Sequence, residues 1–586
     1  PLEFAETLAA GGMMHGDIAY IEGVLSPKAF FHLVEAGVPF PHDRLGTYVG
    51  YKTDHDPRQR ATSAGPKTSH FMVQCLLKRV RAQGTPIFDR HALVALLTGK
   101  KGNVIGLVAI DRARQSAKDP GFVVFNCTNV VLATGGPGEL YRISVYPRGQ
   151  AGAHGAALRI GAEANNLSES QFGLASTAFR WNLSGTYQQV IPHYFSTDKS
   201  GGDERNFLPD YFRTMSGLAT AIFLKGYQWP FHADYTQSMG SSIIDIAVNN
   251  EIMAGRRVFM DFMRNPVEAN GLKPFSLKTL APEALHYLTR SGALQKTPYA
   301  RLKHMNPDSI DLYAEHNVDL RKPLEVGVCF QHNNGGLTGD IWWQSNIRNL
   351  FVIGETCGCH GVRPGGSALN SGQVGAIRAA EYIARRNNGE PLAERDFCRE
   401  VAAQLSAEWA NAKRQLAAPA DAPSVSAVRA DIQDRMSRAA AFIRDPETVK
   451  SALAEARAQW KRLQAQGQAL KRPDELWRAV ENQQLCLTQL AFLENIHALI
   501  ERGGGSRGSY MILDPKGARA VETRRGRELP HRPENRELRK EVMTVRYRPK
   551  TGRFTVAADT TRPLPACDAW YETTWAAYKE GRIFED

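Results

Sequence analysis

The stretch from Asn349 to Gly375, NLFVIGETCGCHGVRPGGSALNSGQVG, limits what this chain can fold into more than any other. Its apolar run, Leu350-Phe351-Val352-Ile353, has the length of a buried parallel strand. Gly354-Glu355 ends the run, and a glycine-rich loop carrying His360 and Arg363 follows. Ser367-Ala368-Leu369-Asn370 then leads into a small-residue segment, Gly372 to Ala380, that reads as a helix start. Strand, glycine loop and helix in this order let backbone N–H groups and a helix N-terminus come close to a polar, electron-rich ligand. Asn129 to Leu140, NVVLATGGPGEL, echoes the pattern upstream, with an apolar strand running into Ala133-Thr134-Gly135-Gly136.

Together the two stretches resemble the flavoprotein subunits of the succinate dehydrogenase and fumarate reductase family, in which an ATGG turn and a later GE…HG.R.GG..L segment both line FAD. Gln331-His332-Asn333-Asn334-Gly335-Gly336-Leu337 is similar to that family's turn of a histidine, two residues and two glycines. Ser506-Arg507-Gly508-Ser509-Tyr510 resembles its SRG(A/S)H segment. The resemblance implies an α/β fold: an FAD/NAD(P)-binding, Rossmann-like domain with an inserted α+β capping domain and a C-terminal helical region. On that pattern residues 1–165 and 321–390 form the FAD-binding domain, 166–320 the cap, 391–500 a helical bundle and 501–586 a tail domain. It also implies FAD as cofactor, a small carboxylate-bearing substrate and, for a partner, an iron–sulfur or other electron-transfer subunit.

By the same resemblance Ala133, Thr134, Gly135, Gly136, Gly354, Glu355, Ser367, Leu369 and Asn370 line the cofactor, with Glu355 on the ribityl chain. The last three also read simply as a helix N-terminus. Arg363 and His332 stand where the family holds its substrate. A planar guanidinium pairs a carboxylate through two bonds, and a neutral imidazole polarises a second one. A structural ion pair is the alternative for Arg363, and bracing of the loop for His332. His360 either contacts the flavin or holds its turn.

Three family features are replaced. The shuttle arginine's place is Ser241, in Gly240-Ser241-Ser242-Ile243-Ile244-Asp245, and a hydroxyl cannot replace a guanidinium there. Changing Ser241 to arginine is expected not to impair folding. Gly173 stands for the histidine of a QFHPT segment, and Ala151-Gly152-Ala153 for a GDG turn. These departures argue against plain succinate or fumarate turnover. The competing readings are an L-aspartate oxidase-like enzyme and a non-catalytic, flavoprotein-derived binding subunit.

The rest of the chain narrows the class. A formal charge of +12 is concentrated late, around Arg519 to Arg539, with acidic residues interleaved and no stacking-aromatic motif, which reads as a solvated basic face rather than a nucleic-acid site. No run of apolar residues has membrane-spanning length. The eight cysteines lack disulfide or cluster spacing, and Cys357-Gly358-Cys359 is too close for a zinc pair, so no metal is expected and reduced, cytoplasmic thiols are the default, with membrane attachment only through a partner. No strand-GxGxxG-helix unit opens the first hundred or so residues. With Pro1 first, that unit is expected to be missing from this chain. Helix is expected over Thr68 to Ala82, and strands over Thr85 to Phe88, Val104 to Val108 and Val123 to Phe125. The small-residue segment 152–164 should be a helix packed close to the cofactor. Val449, Leu453, Ala456 and Trp460 should share one helix face, and strands should run from Glu541 to Tyr547 and from Arg553 to Ala557.

Overall fold

The computed structural model describes residues 1–586 except 54, 55, 363–367, 567 and 586, and the side chains of 52, 53 and 57. Helices α1 (Leu2–Ala9) and α2 (Gly16–Ala36) open the chain, followed by a hairpin of β1 (Tyr51–Thr53) and β2 (Asp56–Ala61) and by α3 (Thr68–Ala82). Strands β3 (His91–Thr98), β4 (Val104–Asp111) and β5 (Phe122–Asn126) form a small antiparallel sheet. The strand expected over Thr85 to Phe88 is absent. Pro86 has no N–H to give a ladder, and Ile87 and Phe88 stand exposed. The strand that the sequence reading missed, β3, begins just beyond.

Strand β6 (Val130–Leu132) leads to α4 (His154–Arg159) and β7 (Glu163–Asn165). A five-stranded sheet, mostly within the stretch expected to form the cap, takes β8 (Ser170–Ser176), β9 (Trp181–Asn182), β10 (His193–Thr197), β11 (Arg257–Asp261) and β12 (Leu324–Asn333), in the order β10-β11-β12-β8-β9. Helices α5 (Met215–Leu224) and α6 (Ile243–Met253) lie within this stretch. Because β12 pairs with both β8 and β11, the sheet runs straight through the boundary expected at 320/321. Short β13 (Gly336–Leu337) precedes β14 (Leu350–Val352), which runs parallel to β6 with Leu350 opposite Val130 and Val352 opposite Leu132. The two stretches that looked alike in sequence are therefore neighbouring strands, and their glycine turns lie at the same end.

Past β14, α7 (Ala368–Arg386) returns along the parallel pair. The bundle follows: α8 (Glu394–Leu416), α9 (Val425–Ala439), α10 (Pro446–Gln466) and α11 (Leu476–Glu501). Val449, Leu453 and Ala456 share the buried face of α10 as expected, and Asp445 caps its start by accepting the Thr448 N–H at 2.9 Å. Strands β15 (Glu541–Arg548) and β16 (Arg553–Thr560) join β7 and β13 in one sheet, and α12 (Tyr571–Glu580) lies near the end.

Helix α11 is buried on nearly every side, polar residues such as Asn482, Gln484 and Asn495 included. Its buried amides are bonded outward: Gln484 Nε2 donates to Leu93 O of β3 at 2.9 Å, and Asn495 Oδ1 accepts the Ser168 N–H at 2.9 Å. Helix α4 lies backbone to backbone on α11. A Cβ at Gly155 would come within 2.2 Å of Gln484 O, so no larger residue fits there. Gly155 thus serves contact with α11.

In the cap, Lys225 Nζ meets Asp245 Oδ2 at 2.5 Å, with both side chains fully buried. Burial raises the Asp245 carboxyl above its ordinary value and Lys225 opposes the rise. Replacing Lys225 by methionine leaves a buried carboxyl with no countercharge, and unfolding in denaturant should show a loss of about 3–5 kcal/mol. The double change Lys225→Met with Asp245→Leu should recover most of that loss.

Candidate active site

The parallel pairing of β6 and β14 sets the Ala133–Gly136 turn beside Gly354–Thr356. The Thr134 N–H donates to Thr356 Oγ1 at 3.0 Å, and the two threonine hydroxyls lie 3.3 Å apart. Gly135 and Gly354 both have left-handed backbones, with φ of 68° and 62°. Around Gly354 there is open space, since a Cβ there would meet nothing within 4 Å.

Glu355 is the hub. Its Oε1 accepts the Asn333 N–H at 3.1 Å and the Tyr146 hydroxyl, and pairs with His332 Nδ1. Burial alone would push the carboxyl up, but the His332 charge and these hydrogen bonds outweigh it and hold Glu355 below the ordinary glutamate value. All three contacts fall on Oε1, which leaves Oε2 to spare. Burial and the Glu355 charge push the Tyr146 phenol well above its usual range, so it stays a donor.

With Nδ1–H directed at Glu355, Nε2 of His332 is buried and makes no hydrogen bond. A neutral ring held this way presents an acceptor at Nε2 and only the charged ring donates there. His360 is fully buried, its ring 5.5 Å from that of His332 and nearly perpendicular to it. Arg363 and Ser367 lie outside the described residues. Leu369 and Asn370 begin α7, where the Asn370 Nδ2 is buried without an acceptor. Together with Phe30, Tyr48 and Gln373 they line a cleft of about 720 Å³ between α7, α2 and the β1–β2 hairpin.

The SRGSY segment braces the His332 turn from behind. Arg507 Nη2 donates to Glu169 Oε1 at 2.9 Å and the Tyr510 hydroxyl donates to the same atom at 3.1 Å, all buried. Glu169 O accepts the Asn334 and Gly335 N–H groups, each at 3.1 Å. At Gly335 a Cβ would lie 2.2 Å from Asn166 O, so the turn presses on backbone there.

Two of the three replaced features have a physical account. A Cβ at Gly173 would lie 2.6 Å from Trp229 Nε1, so the indole fills the space a side chain would need. Ser241 is fully buried and its hydroxyl donates to Gln228 Oε1 at 2.8 Å. An arginine there has no room, contrary to the expectation from sequence; Ser241→Arg should cost about 1–3 kcal/mol by thermal or chemical unfolding. Sequence reasoning missed Tyr146, Thr356 and His154. Thr356 follows Glu355 directly, whereas nothing in sequence singles out Tyr146.

The residues fit FAD. His332 Nε2 and Asn370 Nδ2 are unmet polar atoms, and with Glu355 Oε2 they stand next to two glycine turns with open space, which suits a ligand rich in hydroxyl and carbonyl groups.

Comparison with known proteins gives the same direction. The FAD binding domain family matches residues 3–193. A fumarate reductase (CoM/CoB) subunit of Methanothermobacter marburgensis is 23% identical over 390 residues, covering 66% of this chain and 61% of that protein. The L-aspartate oxidase of Agrobacterium fabrum is 26% identical over 395 residues, covering 66% and 63%. The chain thus spans somewhat less than two thirds of the length of these relatives. In fold it is similar to the E. coli quinol fumarate reductase chain, with a TM-score of 0.64 over 97% of this chain and 87% of that one at 18% identity. The adenylylsulfate reductase of Archaeoglobus fulgidus gives 0.58 over 97% and 86% at 15% identity. No helix among the described residues is long and apolar enough to cross a membrane.

Glu355 supplies a pH test. Its carboxyl is depressed in the fold, so its contribution to stability is full above the unfolded value, about pH 4.3, and is lost as pH falls through the lower folded value. The gap in melting temperature between wild type and Glu355→Gln should close as pH falls below about 4. A gap independent of pH would assign Glu355 no net charge interaction.

Proposed function

We propose that this chain, a divergent member of the succinate dehydrogenase and fumarate reductase flavoprotein family, is an FAD-dependent oxidoreductase acting on a small carboxylate-bearing substrate. The observation that carries the proposal is the Glu355–His332 pair at the mouth of the β6 and β14 turns, with His332 Nε2 buried and unmet. Bound flavin accepts or donates hydride at N5, and the protein supplies position and charge.

Each residue then has a task. Glu355 fixes the His332 ring and keeps Oε2 for a ligand hydroxyl. His332 turns Nε2 toward the substrate and, as the charged ring, donates to one carboxylate. Arg363 holds a carboxylate through its planar fork. His360, packed edge-on against His332, keeps that ring in place. The Arg507–Glu169 pair holds the turn that carries His332. The cap closes over the site and excludes water. An iron–sulfur or other electron-transfer partner belongs to the same proposal.

Trp229 and Ser241 bear on the substrate. With an indole beside Gly173 and no cation at 241, the pocket offers a different set of donors from one built for fumarate. The substrate is accordingly a carboxylate other than succinate or fumarate. Flavin reduced without oxygen should return to its oxidised spectrum slowly with fumarate and rapidly with the true substrate. Arg363→Ala and His332→Ala should each slow that return by about 10²–10³-fold with flavin content unchanged. Reoxidation at the wild-type rate would remove the altered residue from the mechanism.

A further inference from the structure

His154 is a buried polar side chain that the proposed chemistry leaves unused. It is 2% exposed, and neither Nδ1 nor Nε2 completes a well-formed hydrogen bond, the ring's approach to the Thr356 backbone falling short of one. Such a group costs stability unless something bonds to it. Burial lowers its pKa to about 4, with Glu355 and the Thr356 backbone opposing the shift. The ring is therefore neutral at pH 7, with one donor and one acceptor nitrogen.

Its surroundings are those of the two turns. The Glu355 charge and the Thr356 backbone both act on the ring. Its Nδ1 would lie 3.0 Å from a Cβ at Gly152, and that same Cβ would lie 3.3 Å from Gly135 O. Gly152, with φ of 67°, has no side chain, and that leaves the ring its space. The rest of α4 is packed on α11 through Gly155. A neutral imidazole kept dry, with both nitrogens unmet, beside a carboxylate that also has an oxygen to spare, matches a ligand carrying adjacent hydroxyl groups.

We propose that His154 is a cofactor-binding residue, exchanging hydrogen bonds with the polyol chain of the flavin nucleotide in concert with Glu355 Oε2. The assignment rests on the FAD reading above. In the protein without flavin, His154 is a net cost to the fold. With flavin bound, its nitrogens are satisfied.

The test uses full-length chain stripped of flavin, with FAD added back and binding followed by quenching of flavin fluorescence. His154→Leu keeps the volume and removes both polar atoms. It should weaken FAD binding by about 10-fold or more while the flavin-free melting temperature stays the same or rises. His154→Gln, which restores a donor and an acceptor, should bind FAD within a few-fold of wild type. Tight binding by His154→Leu, with wild type also binding, overturns the role of His154 and leaves the FAD reading standing. A lower flavin-free melting temperature for His154→Leu makes the residue a core histidine and likewise overturns the proposal. Failure of wild type to take up FAD overturns both.

Discussion

The parallel pairing of β6 with β14 is the constraint on which the rest depends. Three residues on each strand, in register from Leu350 opposite Val130, bring two glycine turns to one level although more than two hundred residues separate them in the chain. The Thr134–Thr356 contacts lock the turns together. Only then does Glu355 stand beside the Ala133–Gly136 turn. Parallel strands need a long crossover, and here the crossover contains the whole cap, so the cap is returned to the turns by the same pairing that builds them.

The polar groups behind the site show what holds it. The His332 turn is fixed to Glu169 through backbone hydrogen bonds, Glu169 to Arg507 and Tyr510, and Ser168 to Asn495 of the buried helix α11. The chain of contacts runs from the bundle core to a ring nitrogen at the site. Each link is buried, and a buried charge that loses its partner is expensive, so the arrangement tolerates little local variation. The bundle therefore positions the site as well as enlarging the core.

Much of this was legible in the sequence. The two strand-glycine stretches, the His332 turn and the SRGSY segment were visible as motifs because glycine and charged residues at fixed spacing serve backbone geometry that few other residues allow. The helices of the bundle were visible from periodicity, as with Val449, Leu453 and Ala456. What was not legible depended on contacts between distant segments. Nothing local marks Tyr146 as a donor to Glu355, or Trp229 as the occupant of the space beside Gly173. The strand at His91–Thr98 was missed because Thr85 to Phe88 looked extended, although Pro86 bars it from a ladder. The packing partner of Gly155 in α4 was hidden for the same reason: Gln484 is remote in sequence. Arg363 and Ser367, both assigned from motif, lie outside the described residues, and their roles remain part of the proposal.

The central claim is that the two turns form one cradle for a flavin nucleotide. Hydrogen exchange of the backbone amides at 133–136 and 354–357, measured with and without FAD, tests it most directly. The account predicts that both sets become protected together on FAD addition, with the amides of α10 unchanged. Protection of neither set, or of one without the other, would contradict it.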